Sequence, residues 1–149
     1  MNTRIQARVV TYDPSKKAIL LVRNNGRKFW CAPGGGLENG EDIRQCAARE
    51  VLEETGIHVD VKRMLYAQEL HDEKTVIMEF FWLAELSHEQ ALNKNHQDTD
   101  LDEGVEEARW FTKEELQDVI VYPTRLCDTF WDNIDRVYEG EDPFIGVIE

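Results

Sequence analysis

The sequence predicts an α/β domain built on a mixed β-sheet. Three observations predict it. Several segments carry the short apolar period of strands, others carry helix start and stop signals, and the two kinds are interleaved along the chain. The 149 residues suffice for one sizeable core. No internal repeat, low-complexity segment or Pro/Ser-rich linker divides them, so residues 1–149 read as a single domain.

The first strand runs from Arg4 to Tyr12, the turn sequence DPSKK follows, and Ala18 to Val22 forms the second strand. Asn24 to Lys28 is a loop, after which FWCAP leads into Gly34, Gly35 and Gly36. A helix is predicted from Asp42 to Thr55, closed by Gly56 as its C-terminal cap. VDVKRMLYAQEL and TVIMEFFWLAEL are two strands joined as a hairpin through HDEK. The second is apolar on both faces, as a central strand must be. Residues 87–104 are polar, a loop length that inside a compact domain points to function, and they are expected to act as a lid. EEARWF resumes a strand, and Thr112 with Glu115 forms a capping box for TKEEL. Pro123 begins a last helix whose apolar stripe is Leu126, Phe130, Ile134 and Val137. The tail DPFIGVIE is apolar enough to pack on its own domain or on a second copy in a homodimer.

Charge narrows the function. The formal net charge is −13, which opposes duplex DNA or long RNA as a partner, because phosphate binding needs a positive footprint. A small phosphorylated ligand needs only a few local cations. No apolar run spans a bilayer, no signal-peptide h-region opens the chain, and three unpaired cysteines (Cys31, Cys46, Cys127) fit a reducing compartment. The expected location is the cytoplasm, with no membrane partner.

The helix itself carries the chemistry. At about 100° per residue from Glu50, Glu53 lies near 300° and Glu54 near 40°, so three carboxylates share one face. Ala47, Val51, Thr55, Ala48 and Leu52 spread from about 60° to 200° as the expected buried stripe. Oxygen-only donors at this spacing suit a hard cation such as Mg²⁺, which shares its coordination with substrate phosphates. Without metal, mutual repulsion should raise at least one of these pKa values. The preceding glycines let a ligand approach the main chain, and a carbonyl there could complete the donor set.

Gly35, five residues, Glu41, seven residues, then REVLEETGI from Arg49 to Ile57 resembles an unbroken Nudix box over residues 35–57. AILLVR, Trp30 ahead of PGG, and EEARWFTKEEL are similar to the usual layout of that family. The resemblance implies an α/β/α sandwich with the mixed sheet between helices, and Mg²⁺- or Mn²⁺-dependent hydrolysis of a nucleoside diphosphate linked to another group. It makes Glu50, Glu53 and Glu54 metal ligands with a carbonyl of Gly34 or Gly35. Arg49 and Glu41 become the residues that orient them.

Other assignments are looser. Glu79 interrupts the apolar run of its strand and is a candidate general base, with Glu103, Glu106 and Glu107 as rivals. Arg23 and Arg27, with Lys28, are candidates for binding phosphate, and Trp30 or Phe29 for stacking on a base. Asp98, Asp100 and Asp102 fail as an EF-hand loop, since Glu103 and Arg109 stand where Gly and Glu are required. The alternative to a pyrophosphohydrolase is a non-catalytic nucleotide sensor on the same fold. The intact box and the lack of spare length oppose it. Marks of ADP-ribose, dinucleoside polyphosphate and NADH pyrophosphatases are missing downstream, which leaves nucleoside triphosphates, modified nucleotides or nucleotide sugars as candidate substrates, with a nucleoside di- or triphosphate favoured among them.

Overall fold

The computed structural model describes residues 1–92, 101, 103–137, 142–144 and 146–147. Its strands are β1 (Asn2–Asp13), β2 (Ala18–Asn24), β3 (Phe29–Cys31), β4 (Gly34–Gly36), β5 (Val59–His71), β6 (Thr75–Leu86), β7 (Val105–Thr112) and β8 (Ile120–Tyr122). They form one sheet in the order β5-β6-β1-β2-β3-β8, with β4 paired to β1 and β7 to β2. The β1–β6 and β3–β8 pairs are parallel and the rest antiparallel, so the sheet is mixed.

Side-chain alternation sends each long strand's apolar residues to both faces. On one face Ala7, Val9, Leu20, Trp82 and Ala84 pack against Cys46, Ala47 and Val51 of helix α1 (Ile43–Thr55). On the other, Val10, Tyr12, Ile19, Leu21, Phe81, Leu83 and Phe111 pack against Leu126 and Phe130. Two apolar layers with helices outside them make the α/β/α sandwich. β6 is the central strand its composition predicted, with Phe81 and Leu83 on one side and Trp82 and Ala84 on the other.

Helix α1 begins and ends where local chemistry dictates. The Asp42 carboxylate accepts from the Gln45 amide at 2.9 Å while the Gln45 side chain accepts from the Asp42 amide at 2.9 Å, satisfying two donors that helix geometry orphans. Gly56 ends it in the left-handed region at φ 72°, its N–H reaching the Leu52 carbonyl at 2.8 Å. The buried arc differs from the predicted stripe. Leu52 is exposed and Cys46 is fully buried, so the inward face is rotated towards Glu50 and Glu54.

The last helix is also corrected. Pro123 opens a 3-10 turn, Thr124–Leu126, followed by α4 (Thr129–Asp132) and α5 (Ile134–Val137), after the short helices α2 (His88–Leu92) and α3 (Lys113–Leu116). Asp128 caps Thr129 with its own side chain and Asn133 closes the turn that Asp128 opens, so local polar competition divides the segment. Leu126, Phe130 and Ile134 still reach the core; the Val137 side chain lies outside the described residues. So do residues 93–100 and 102, half of the expected lid, and with them the Asp98, Asp100 and Asp102 positions, while His88–Leu92 of that segment is helix α2 rather than loop. Of the tail, Asp142 and Phe144 pack on this domain: Asp142 accepts from the Met64 amide at 3.2 Å, and Phe144 meets Trp82 edge-on at 5.1 Å. Among the described residues no helix is long and apolar enough to cross a membrane.

Two substitutions test these supports. Asp42→Ala should cost about 1 kcal/mol through loss of the cap. A Cβ on Gly34 would stand 2.0 Å from the Ala7 carbonyl oxygen, so Gly34→Ala should cost about 3 kcal/mol or more, because backbone cannot yield as a side chain does. Urea unfolding of both variants measures the difference.

Candidate active site

β4 lies along the first half of β1, with Gly34 opposite Arg8, Gly35 opposite Ala7 and Gly36 opposite Gln6. Ala7 faces helix α1, so Gly35 does too. A Cβ on Gly35 would fall 2.6–2.7 Å from the Glu50 carboxylate. The glycine is therefore what lets that carboxylate lie against the main chain.

Arg49 organises the acidic edge. Its Nε and Nη2 donate to the two oxygens of Glu41 at 2.9 and 2.7 Å, a bidentate pair. Nη2 also donates to the Gly36 carbonyl at 3.0 Å. Nη1 is shared between Glu50 at 2.8 Å and Glu53 at 3.1 Å. Glu41 in turn accepts from the Glu38 amide at 2.9 Å. One guanidinium thus ties the glycine strand, the loop after it and two helix carboxylates together. Glu54 Oε2 accepts from the Gly34 amide at 3.4 Å.

The electrostatics follow from this wiring. Hydrogen bonds from Arg49 hold the Glu41 carboxyl down to about 2, and the same bonds raise the Arg49 guanidinium above its ordinary value despite partial burial. Glu50 moves the other way. Burial raises its pKa, with the charges of Glu53 and Glu38 adding to it and Arg49 opposing.

Among the described residues no three His, Cys, Asp or Glu side chains converge closely enough to hold a metal ion as they stand. Arg49 Nη1 is the positive charge between Glu50 and Glu53 here. The donor chemistry fits a hard divalent cation nonetheless: carboxylate oxygens only, one of them disfavoured in its charged form and pressed against a glycine main chain.

On the opposite sheet face, Glu79 is buried in β6, its Oε2 accepting from Arg8 Nε at 2.7 Å and its Oε1 from Gln68 at 2.9 Å. These three side chains floor a cleft of about 690 Å³ lined also by Asn24, Arg27, Phe29, Phe81 and Tyr122. The face that Glu79 occupies is not that of α1, although the charge of Glu54 still reaches Arg8 and Cys31. The cleft and the acidic helix edge therefore meet around Arg8 and Gly34.

The structure distributes the remaining expected residues unevenly. Arg27 lines the cleft. Arg23 pairs with Glu106 at 2.8 Å and Glu107 at 3.4 Å, and it stands over the Trp30 ring at 5.7 Å. Trp30 is 5% exposed and packs edge-on to Phe111 at 4.8 Å, so it belongs to the core, whereas Phe29 lines the cleft. Arg8, Gln68, Asn24 and Tyr122 were not singled out from sequence. Their only signal was a charge pair, Arg8 and Glu79, on strands two positions out of register.

The α/β/α sandwich thus carries an arginine-clamped acidic helix edge against a glycine strand. The NUDIX domain model matches residues 2–126, and the chain belongs to the Nudix hydrolase family. It is 33% identical over 108 residues to phosphatase NudJ of Escherichia coli O1:K1, covering 72% of this chain and 67% of that protein. It is 42% identical over 64 residues to nucleoside diphosphate-linked moiety X motif 6 of Xenopus laevis, 43% of this chain but 30% of that one. The NAD-capped RNA hydrolase ndx-9 of Caenorhabditis elegans matches at 27% over 85% of this chain and 32% of its own length. The chain thus spans about a third of those last two relatives. A Nudix hydrolase structure from Nitrosomonas europaea superposes with a TM-score of 0.72 at 22% identity, covering 99% of this chain and 98% of that one; this likeness shows the shared fold.

The Glu41 contribution gives a pH test. Its folded value lies below the unfolded one, about 4.3, so its stabilisation is present above that pH and is lost as pH falls towards 2. Relative to Glu41→Gln, the wild type should lose its stability advantage steadily between about pH 5 and pH 2. Parallel advantage curves that do not converge would refute the clamp.

Proposed function

We propose that this chain hydrolyses a diphosphate bond in a nucleoside diphosphate linked to another group, with a nucleoside di- or triphosphate as the favoured substrate. The observation that carries this reading is the Arg49 clamp, which gathers Glu50 and Glu53 beside Glu54 and against the Gly34–Gly36 backbone. Relatives named for nucleoside diphosphate-linked moieties and for phosphatase activity support it, and Nudix hydrolases as a family use divalent metal ions.

In this reading Glu50, Glu53 and Glu54, with a main-chain carbonyl of Gly34 or Gly35, hold Mg²⁺ or Mn²⁺. When bound, such an ion supplies charge that polarises a phosphoryl group and acidifies water. The chain's own part is positional. Arg49 and Glu41 set where the carboxylates stand, and the short glycine strand keeps side chains out of the way of the diphosphate. Glu53 is the most open of the three helix carboxylates, with a side-chain exposure of 54% against 13% for Glu50. It is the one with room to take a proton from the attacking water. The nucleoside end occupies the cleft, where Phe29 and Tyr122 offer aromatic faces and Arg27 a cation at the mouth.

Purified protein should release phosphate or pyrophosphate from one member of a panel of nucleoside di- and triphosphates, nucleotide sugars, ADP-ribose and dinucleoside polyphosphates when Mg²⁺ or Mn²⁺ is supplied. Glu53→Gln and Glu54→Gln should each cut that rate at least about 100-fold, the upper end of what losing even an outer partner of a metal site costs. A folded wild type that turns over nothing would transfer weight to the sensor; turnover indifferent to both substitutions would dismiss these ligands.

A further inference from the structure

A sheet interior tolerates a charge only when it is paired and hydrogen-bonded. Glu79 meets that condition completely. Its side chain is 4% exposed, and each oxygen holds one short bond, to Arg8 and to Gln68. Arg8 does not. Its Nε is fixed by Glu79 at 2.7 Å, but Nη1 and Nη2 make only long contacts, 3.3 Å to the Ala32 carbonyl and 3.4 Å to Gln6 Oε1. Its side chain is 23% exposed and lines the cleft. An arginine anchored at Nε with its fork loosely held is arranged to grip an oxyanion with the two Nη groups.

Position supplies the ligand. Arg8 sits opposite Gly34, whose amide touches Glu54, so the guanidinium stands between the cleft and the acidic helix edge. We propose that Arg8 is a substrate-binding residue for the phosphate joined to the nucleoside, and that Glu79 and Gln68 are positioning residues that aim its fork. The inference rests on the reading that the cleft takes the nucleoside while the box carboxylates face the diphosphate. It gives Glu79 a task other than general base: both of its oxygens already accept bonds, on the sheet face away from α1.

A purely structural ion pair would look the same in a stability measurement, so the test must read phosphate. Calorimetric titration would compare the α,β-methylene diphosphates of adenosine, guanosine, cytidine and uridine with the parent nucleosides, in Mg²⁺ and again in EDTA. In the wild type the diphosphate should strengthen binding at least about tenfold over the nucleoside, with part of the gain surviving in EDTA, as charge-assisted bonds predict. Arg8→Lys keeps the charge but loses the fork, and its gain should shrink to about threefold or less. Since removing Arg8 alone strands a buried carboxylate, the double variant R8M/E79Q provides a second, uncharged test with the same expectation.

With the substrate found in the panel, Glu79→Gln should raise KM about tenfold while kcat falls less than about threefold and the pH–rate profile keeps its shape, the mark of lost uniform binding. No gain from the diphosphate in the wild type, or a gain retained in both Arg8 variants, overturns the proposal. Loss of the acidic limb of the profile in Glu79→Gln would restore Glu79 as the base and overturn its positioning role. Failure of the hydrolase reading shows elsewhere, in the response to Glu53→Gln and Glu54→Gln.

Discussion

Everything at the acidic edge depends on one guanidinium. Three carboxylates at helical spacing repel one another, and a folded chain must offset that repulsion before any ligand arrives. Arg49 does so from within the same helix. Its five donors are divided among Glu41, Glu50, Glu53 and the Gly36 carbonyl, which no ammonium could reproduce, because a point charge lacks the planar fork. The opposed shifts of Glu41 and Glu50 show how the work is shared. Glu41 takes the bidentate pair and is held strongly ionised, whereas Glu50 gets one bond, a buried setting and two like-charged neighbours. A carboxylate left partly unsatisfied gains most from an incoming cation, so in the proposed metal-binding role the clamp supports the helix while leaving Glu50 open to a cation.

The sheet imposes the second constraint. β1 is paired with β6 along ten positions on one side, but on the other it meets β4 first and β2 only at Tyr12 and Asp13. The two neighbours of β1 meet it at different stretches, β4 at Gln6 to Arg8 and β2 at Tyr12 and Asp13. Glu54 from one face and Arg8 from the other influence each other. Glycine at position 34 is compulsory because the Ala7 carbonyl occupies the space of its Cβ, whereas at 35 a Cβ would push the Glu50 carboxylate out of its place against the main chain. Backbone sterics and the placing of charge are thus one requirement at these two residues.

The sequence disclosed most where structure is decided locally. Asp42, Thr112 and Gly56 act on amides within a few residues, so the bounds of α1 and the start of α3 could be read directly. The alternation of β6 was equally readable, since both of its faces are apolar. Legibility failed where partners are distant in sequence. Arg8 alternates innocently between Ala7 and Val9, and only the parallel register that sets Gln6 beside Glu79 makes it a cleft residue. Trp30 and Arg23 were judged by their nearness to the box. Phe111 and Glu106, more than eighty positions away, claim them instead. The last helix misled for the reverse reason: its apolar period is real, but Asp128 and Asn133 compete for the backbone at closer range.

An acidic protein that handles a polyanion must concentrate its few cations where the ligand lies. With 30 acidic and 17 basic residues, the general field repels a nucleotide. Several arginines are unavailable to offset it: Arg23 is committed to Glu106 and Glu107, Arg49 to the helix edge, and Arg44 to Asp142 and the Val61 carbonyl. Arg8 and Arg27 remain at the cleft, and a divalent ion among the box carboxylates would convert the most negative part of the surface into the most attractive part for phosphate. In the proposed reading, affinity for a nucleotide depends on metal first and on arginine second. Burying Glu79 beneath Arg8 keeps that second contribution in place, since the guanidinium cannot turn away to solvent without abandoning a charge in the sheet interior.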